Sequence, residues 1–311
     1  MSQRSSIKAL QTNFFDYQFE IEWELTERCN YSCSYCASYN NNVPTYFKSI
    51  EEYKNAVMYI KNYIGNRRAK VNFLGGEPTL SKNWVQLINF LDEENFVPRI
   101  TTNLSIDPKK YIDKLTNKFP FITTSFHPEF TEPTVFSERV KLLNDNNLLH
   151  SVSIMADTKN WVAVKAVYDS LKDDVGDCPI VKITDEHSSD TAISSGYISY
   201  SDEQLKLIEE SLNESKTDYE IIVDGKLHTV DTLRQQTDLN FKGMMCAVGR
   251  DRLHIKPNGD VYPSACFLNY PQARMGNIYK ENLRKVKKEV KCRFTHCYCG
   301  PDIRIEKWAQ L

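Results

Sequence analysis

Between residues 21 and 184, six short apolar runs with strand character alternate with amphipathic helical stripes, the last run lacking a clear helix immediately after it. This alternation constrains the fold more than any other feature of the chain. Strand, helix and strand in strict succession build a parallel sheet with helices outside it. Strands are expected at 21–25, 70–74, 99–102, 121–126, 151–155 and 180–184. Ser49 to Glu52 reads as a capping box ahead of a helical stripe of Tyr53, Ala56, Val57, Ile60 and Ile64. Ser81 is expected to cap a helix carrying Trp84, Leu87, Ile88 and Leu91. Asp107-Pro108 reads as the N-cap and first-turn proline of another helix. Further helices are expected over Ser137–Leu143 and Trp161–Leu171. Six units are too few for a closed eight-fold barrel. The expected fold class is α/β: a partial, splayed (β/α)6 TIM-like barrel.

After residue 190 the pattern changes. Ser201–Leu212 reads as one more capped helix, and Asp224-Gly225 as a hairpin turn between 221–223 and 226–230. A second hairpin turns at Asn258-Gly259, between 254–256 and 260–262. The expected organisation is a barrel over 1–190, a bridging helix and hairpin over 191–245, and a small C-terminal extension over 246–311. With 39 Lys plus Arg against 41 Asp plus Glu, the chain lacks the excess positive charge of an electrostatic nucleic-acid binder. No run approaches the roughly 18 apolar residues of a membrane span. The start, MSQRSSIKALQTNFF, has no apolar signal region. No nucleic-acid or membrane partner is expected, and the expected location is the cytoplasm.

Nine cysteines are the anomaly. An odd count in a reducing compartment argues against a disulfide framework. Cys29, Cys33 and Cys36 form one knot, Cys246, Cys266, Cys292, Cys297 and Cys299 a second, and Cys178 stands alone. Two separated clusters read as two metal sites. The first is C-x3-C-x2-C in a loop directly after a strand, which lets three thiolates wrap one inorganic cluster and leaves one iron of a cubane open. An open coordination position is what catalysis requires. A zinc knuckle with a ligand from elsewhere is the alternative that the spacing alone leaves open.

This loop, with Tyr35 just before its third cysteine, resembles the signature of the radical S-adenosylmethionine (radical SAM) enzymes. The second strand ends in Gly75-Gly76-Glu77-Pro78, similar to that family's GGEP motif. The third ends in Thr101-Thr102-Asn103 and the fourth in Ser125-Phe126-His127, again at C-terminal strand ends where barrel enzymes place their chemistry. The resemblance covers residues 20–185. It implies a 4Fe–4S cluster on Cys29, Cys33 and Cys36, with S-adenosylmethionine chelating the open iron. It further implies backbone contacts to the methionine amino group near Gly76 and Glu77, and ribose or carboxylate contacts from Thr102, Asn103 and Ser125. The implied chemistry is reductive cleavage to a 5′-deoxyadenosyl radical that abstracts a hydrogen atom from substrate. A flavodoxin or ferredoxin electron donor is the implied partner.

The C-terminal cysteines resemble the SPASM and Twitch extensions of that family, which implies one auxiliary 4Fe–4S cluster. Cys246 and Cys266 bracket the second hairpin and lead the ligand set. Cys297 and Cys299 come next, and the C-x4-C-x-C spacing departs from the Twitch pattern, so the choice of four among five stays open. Structural zinc is the alternative.

Single residues carry weaker signals. His127 and Glu129 face the expected site from a strand end. Asp157, Lys182, Asp185 and His187 are similarly placed, and Arg250-Asp251 reads equally as a surface ion pair. Cys178 reads as a buried structural thiol rather than a hydrogen-atom donor. The substrate is expected to be a peptide, with a small polar metabolite such as an aminocyclitol or sugar alcohol as the alternative. The 28 residues ahead of Cys29 are too few for a fused leader-peptide-binding domain. A zinc-stabilised binding protein is the non-enzyme alternative, and it leaves the GGEP motif without a role.

Overall fold

The computed structural model describes residues 8–14, 16–36, 47–116, 119–175, 181–184, 200–213, 219–228, 233, 240–285, 289–295, 297 and 300–309. By contacts the chain groups into two compact units. One comprises Trp23–Lys54 and Val71–Lys216, and the other Met1–Glu22, Asn55–Lys70 and Thr217–Leu311. These groupings differ from the linear cuts 1–190, 191–245 and 246–311, because N-terminal residues pair with C-terminal strands.

The first unit carries the alternation read from the sequence. Its strands are β2 (Phe19–Thr26, of which the second half lies in this unit), β3 (Ala69–Gly75), β4 (Val97–Thr102), β5 (Ile122–Phe126), β6 (Leu149–Met155) and β7 (Val181–Thr184). They follow one another across the sheet in chain order, and β4 through β7 pair in parallel. Its helices are α2 (Trp84–Glu93), α3 (Pro133–Asp145), α4 (Trp161–Leu171) and α5 (Asp202–Asn213), together with the first turn of α1 (Ile50–Ile64), whose remainder belongs to the other unit. The sheet stays open, so the partial-barrel expectation holds. Trp23, fully buried on β2, packs edge-on against Tyr53 of α1 and tilted against Phe73 of β3. Ser49 and Glu52 form the expected capping box, with the Ser49 N–H and hydroxyl donating to Glu52 and the Glu52 N–H returning to Ser49 Oγ.

Two helix starts differ from the expectation. Ser81 ends a short 3₁₀ turn over Pro78–Leu80, and α2 begins at Trp84 with Asn83 in the N-cap position. Asp107 does cap, accepting from the Lys109 N–H, but only two 3₁₀ turns follow. Tyr111 between them takes φ −136°, which breaks the helix and seats its ring edge-on against Trp84 at 4.8 Å.

The other unit holds a six-stranded sheet of order β14-β10-β15-β1-β8-β9. Its members are β1 (Ala9–Phe14), β8 (Tyr219–Val223), β9 (Lys226–His228), β10 (Met245–Cys246), β14 (Val290–Lys291) and β15 (Lys307–Trp308). Asp224 and Gly225, at φ 49° and 83°, make the expected hairpin between β8 and β9. The second hairpin joins β11 (Arg252–Ile255) to β12 (Asp260–Tyr262), and β13 (Gly276–Asn277) extends it. A short helix, α6 (Gly300–Ile303), precedes β15. This unit buries Glu20 under Arg304, Lys70 and Arg252, all within 2.8 Å.

Candidate active site and second thiol pocket

The cysteine loop leaves the end of β2 and is zipped to the end of β3. The Gly76 N–H donates to Thr26 O at 2.8 Å and the Glu77 N–H to Arg28 O at 2.9 Å. This approach requires both glycines. A Cβ on Gly75, at φ 135°, would lie 1.9 Å from Thr26 O, and one on Gly76 would lie 2.1 Å from Arg28 O. The room the two glycines leave is thus taken by the protein's own backbone at the stem of the cysteine loop.

Glu77 is buried, and its carboxylate is fully engaged. Oε1 accepts from the Thr79 N–H at 3.0 Å, from the Thr79 hydroxyl, and from the Thr102 hydroxyl at 2.8 Å; Oε2 accepts from the Asn103 N–H at 2.7 Å. Burial pushes the carboxyl up, against the pull of these donors. Pro78 opens the 3₁₀ turn that carries Thr79. Thr102 and Asn103 therefore hold Glu77 in place. Asn103 also reaches the loop itself, with Nδ2 3.0 Å from Asn30 Oδ1 and 3.8 Å from Cys29 Sγ. Ser125 is half-buried on β5, in register with Ser153 of β6.

The segment after β5 clamps the loop from another side. His127 Nδ1 lies 3.0 Å from the Tyr35 hydroxyl and 3.5 Å from Cys33 Sγ, and its ring stacks on Tyr35. Burial holds the imidazole down to about 4, so it is neutral at pH 7. Glu129 accepts from the Ser34 N–H at 2.8 Å and from the Ser34 hydroxyl. Tyr31 stacks on Phe130 and bonds Thr131 at 2.9 Å. Tyr31, Ser34 and Thr131 were not singled out from the sequence; an aromatic or hydroxyl at alternate loop positions is too common a pattern to mark them.

Cys29, Cys33 and Cys36 are unbridged and close enough to influence one another's ionisation. Burial pushes the Cys33 thiol up to about 12 and Cys29 upward. Three unbridged thiols on one eight-residue loop, braced by Glu77, Asn103 and His127, fit a cubane cluster with one open iron. Thiols this reluctant to ionise give up their protons when metal binds.

In the second group, the four described C-terminal cysteines lie near enough to influence one another's ionisation. Cys246 sits on β10, and Cys266 in a turn where Ser264 Oγ lies 3.3 Å from its sulfur. Cys292 and Cys297 pack against the core containing Leu10, Phe241 and Ile303, and Cys266 against the one containing Cys246. Burial pushes Cys266, Cys292 and Cys297 upward, and each is raised further by Cys246. Cys299, Cys178, Asp185 and His187 lie outside the described residues, as does the Lys182 side chain. Among the described residues, no three His, Cys, Asp or Glu side chains gather as around a single metal ion.

The remaining candidates serve local structure. Asp157 caps its own turn, accepting from the Lys159 N–H and Asn160 Nδ2. Arg250 pairs with Asp251, Glu289 and Glu306.

The Radical SAM superfamily matches residues 23–158, which contain the loop, the glycines and their bracing residues. The match is to these residues, a little under half of the chain. The chain is 26% identical over 106 residues to an S-adenosylmethionine-dependent nucleotide dehydratase of Selenomonas ruminantium, across 32% of this chain and 36% of that protein. It is 32% identical over 98 residues to an uncharacterized protein of Methanocaldococcus jannaschii, across 30% and 32% of the two chains. The match thus spans about a third of these curated relatives. Streptococcus suis SuiB, solved bound to S-adenosylmethionine, shares the fold with a TM-score of 0.59 at 16% identity, over 85% of this chain and 64% of SuiB. The protein anSMEcpe, solved with bound AdoMet, gives 0.53 at 17% identity over 85% and 75%. The family carries a 4Fe–4S cluster and S-adenosylmethionine. No helix among the described residues is long and apolar enough to cross a membrane.

Proposed function

We propose that this protein cleaves S-adenosylmethionine reductively at a cluster held by Cys29, Cys33 and Cys36 and uses the resulting radical to modify a peptide. The observation that carries the reading is the zipper of Gly76 and Glu77 onto Thr26 and Arg28. It brings the GGEP backbone against the stem of the loop that bears the three thiols. When bound, the cluster and S-adenosylmethionine supply a 5′-deoxyadenosyl radical able to abstract hydrogen from an unactivated C–H bond. The chain's own residues prepare the place for it. Glu77 fixes the glycine backbone that faces the methionine amino group. Asn103 ties that carboxylate to the loop, and neutral His127 holds Tyr35 and Cys33 without placing a competing charge beside the thiolates. Ser125 remains as a ribose or carboxylate contact.

Residues 246–311 supply an auxiliary 4Fe–4S cluster on Cys246, Cys266 and two of Cys292, Cys297 and Cys299, which anchors substrate or accepts the electron left after hydrogen abstraction. A flavodoxin or ferredoxin delivers the electron to the first cluster, in the cytoplasm. The peptide reading is supported by the fold shared with SuiB, solved bound to the precursor peptide SuiA, and with anSMEcpe, solved with the Cp18Cys peptide. A small polar metabolite is the second reading, favoured by the similarity to a nucleotide dehydratase. Iron analysis of anaerobically purified protein tests the cofactor set. About eight irons and eight sulfides per chain are expected from two cubanes. About four irons with zinc making up the remainder defeats the auxiliary cluster.

A further inference from the structure

The second thiol pocket contains a lysine that no feature of the sequence marked. Lys307 is buried, at 2% exposure. On the antiparallel pair β10–β15 it stands directly opposite Cys246, so the two side chains share one face with Cβ atoms about 5 Å apart. On its other edge β15 pairs with β1, setting Lys307 opposite Leu10, in the core cluster against which Cys292 and Cys297 pack. The Nζ donates to the carbonyls of Asp302, Ile303 and Ile305 at 2.8, 3.3 and 2.9 Å and lies over the Phe241 ring. These bonds hold the ammonium in place but carry no countercharge.

Charge bookkeeping in this unit leaves the cation unbalanced. Among its described buried residues, Lys70, Arg252, Arg304 and Lys307 face three carboxylates, Glu20, Glu22 and Asp302. The carboxylates are taken: Glu20 by Lys70, Arg252 and Arg304, Glu22 by Arg252, and Asp302 by Arg252 and the Ser264 hydroxyl. Among the described residues no ion pair joins Lys307 to a carboxylate, and Asp302, whose charge reaches it, is already engaged by Arg252. An isolated buried charge is costly, and proteins retain one where a partner of opposite sign is present. Four cysteines around a cubane provide a net negative group on the face Lys307 occupies.

We propose that Lys307 is the built-in countercharge of the auxiliary cluster and raises its reduction potential. This rests on the auxiliary cluster proposed above. A fixed cation a few ångströms from a cluster stabilises the reduced, more negative form, and the low local dielectric magnifies the effect. Lys307 acts through the electrostatics of the pocket and is a positioning residue, not a ligand.

The test is a redox titration followed by electron paramagnetic resonance. The protein carries Cys29, Cys33 and Cys36 changed together to Ala, so that only the auxiliary cluster remains. If this parent binds no iron, the auxiliary-cluster reading fails, independently of Lys307. With the cluster present, Lys307→Met is expected to disfavour reduction at least tenfold, a shift of about 59 mV to lower potential for a one-electron couple. Lys307→Gln, which keeps a donor for the carbonyls but no charge, should shift likewise, and Lys307→Arg should stay near the parent. Unchanged potentials in cluster-bearing Met and Gln variants overturn the proposal. Loss of the cluster from both neutral variants but not from Lys307→Arg is the charge requirement in its strongest form. Loss from all three makes the role steric and overturns it.

Discussion

The Asn103 N–H donates to Glu77 Oε2 at 2.7 Å, joining the end of β4 to the glycine motif at the end of β3. Asn103 Nδ2 then reaches Asn30 beside Cys29. The carboxylate thereby joins the ends of β3 and β4, and Asn103 links both to the cysteine loop. Glu77→Ala leaves the donors of Thr79, Thr102 and Asn103 buried without an acceptor. At about 1–3 kcal/mol for each unsatisfied buried group, a loss of about 3 kcal/mol or more is expected, read as a lower urea midpoint. A midpoint unchanged from wild type would mean the carboxylate is not the brace.

Gly76→Ala tests the zipper itself. Its Cβ would fall 2.1 Å from Arg28 O and 2.7 Å from Cys29 N, both backbone atoms that cannot swing aside. The loop is expected to lift from β3. Iron bound per chain should then drop by about one cubane, about four irons, with the C-terminal cluster retained. Full iron loading in a variant that still folds would contradict the geometry.

The two thiol groups should separate by function. Changing Cys246 and Cys266 to Ala removes two of the C-terminal sulfurs but leaves the Cys29 loop and its bracing intact. Abortive formation of 5′-deoxyadenosine should persist and substrate product should disappear. Circular dichroism and retained S-adenosylmethionine binding control for unfolding. Full product formation would reduce the pocket to a structural role, and loss of cleavage in a folded variant would mean electrons enter through it.

Acid should attack the buried charge cluster around Glu20. Burial by itself would raise this carboxyl, but Arg304, Lys70 and Arg252 reverse that and hold it well below the usual carboxylate range. A depressed folded-state value stabilises the protein above the unfolded carboxyl's value, near 4.3, and that contribution is lost as pH falls from there. Glu20→Gln strands the buried cations and should cost about 3–5 kcal/mol at pH 7. The gap between variant and wild type should narrow in thermal melts below pH 4. A gap constant from pH 7 to 3 would show that the Glu20 charge does not matter.

Much of this was legible in the sequence because the signals are local. The period of apolar residues marked β2 through β7, and Trp161–Leu171 matched α4 at both ends. The cysteine triplet and Gly75-Gly76 stood out because their spacing is dense and unusual. What was not legible depends on distant pairing. β1 exists because Leu10 meets Val223 on one side and Lys307 on the other, and β15 is two residues long. The Asp107 cap signal was sound, but Tyr111 docking on Trp84 stopped the helix. Glu129 was marked by position, while its partner Ser34 is 95 residues away and no local pattern connects them. Lys307 carries no local signal, because what distinguishes it is the pairing of its strand opposite Cys246.

The most direct measurement is 5′-deoxyadenosine formed from S-adenosylmethionine under dithionite, anaerobically, in wild-type protein and in Cys33→Ala. Cys33 is the loop thiol nearest the His127 brace, at 3.5 Å. The account predicts 5′-deoxyadenosine and methionine from wild type, slowly even without substrate, and none above background from the variant. Equal 5′-deoxyadenosine from both proteins would contradict the assignment of the loop as the site of cleavage.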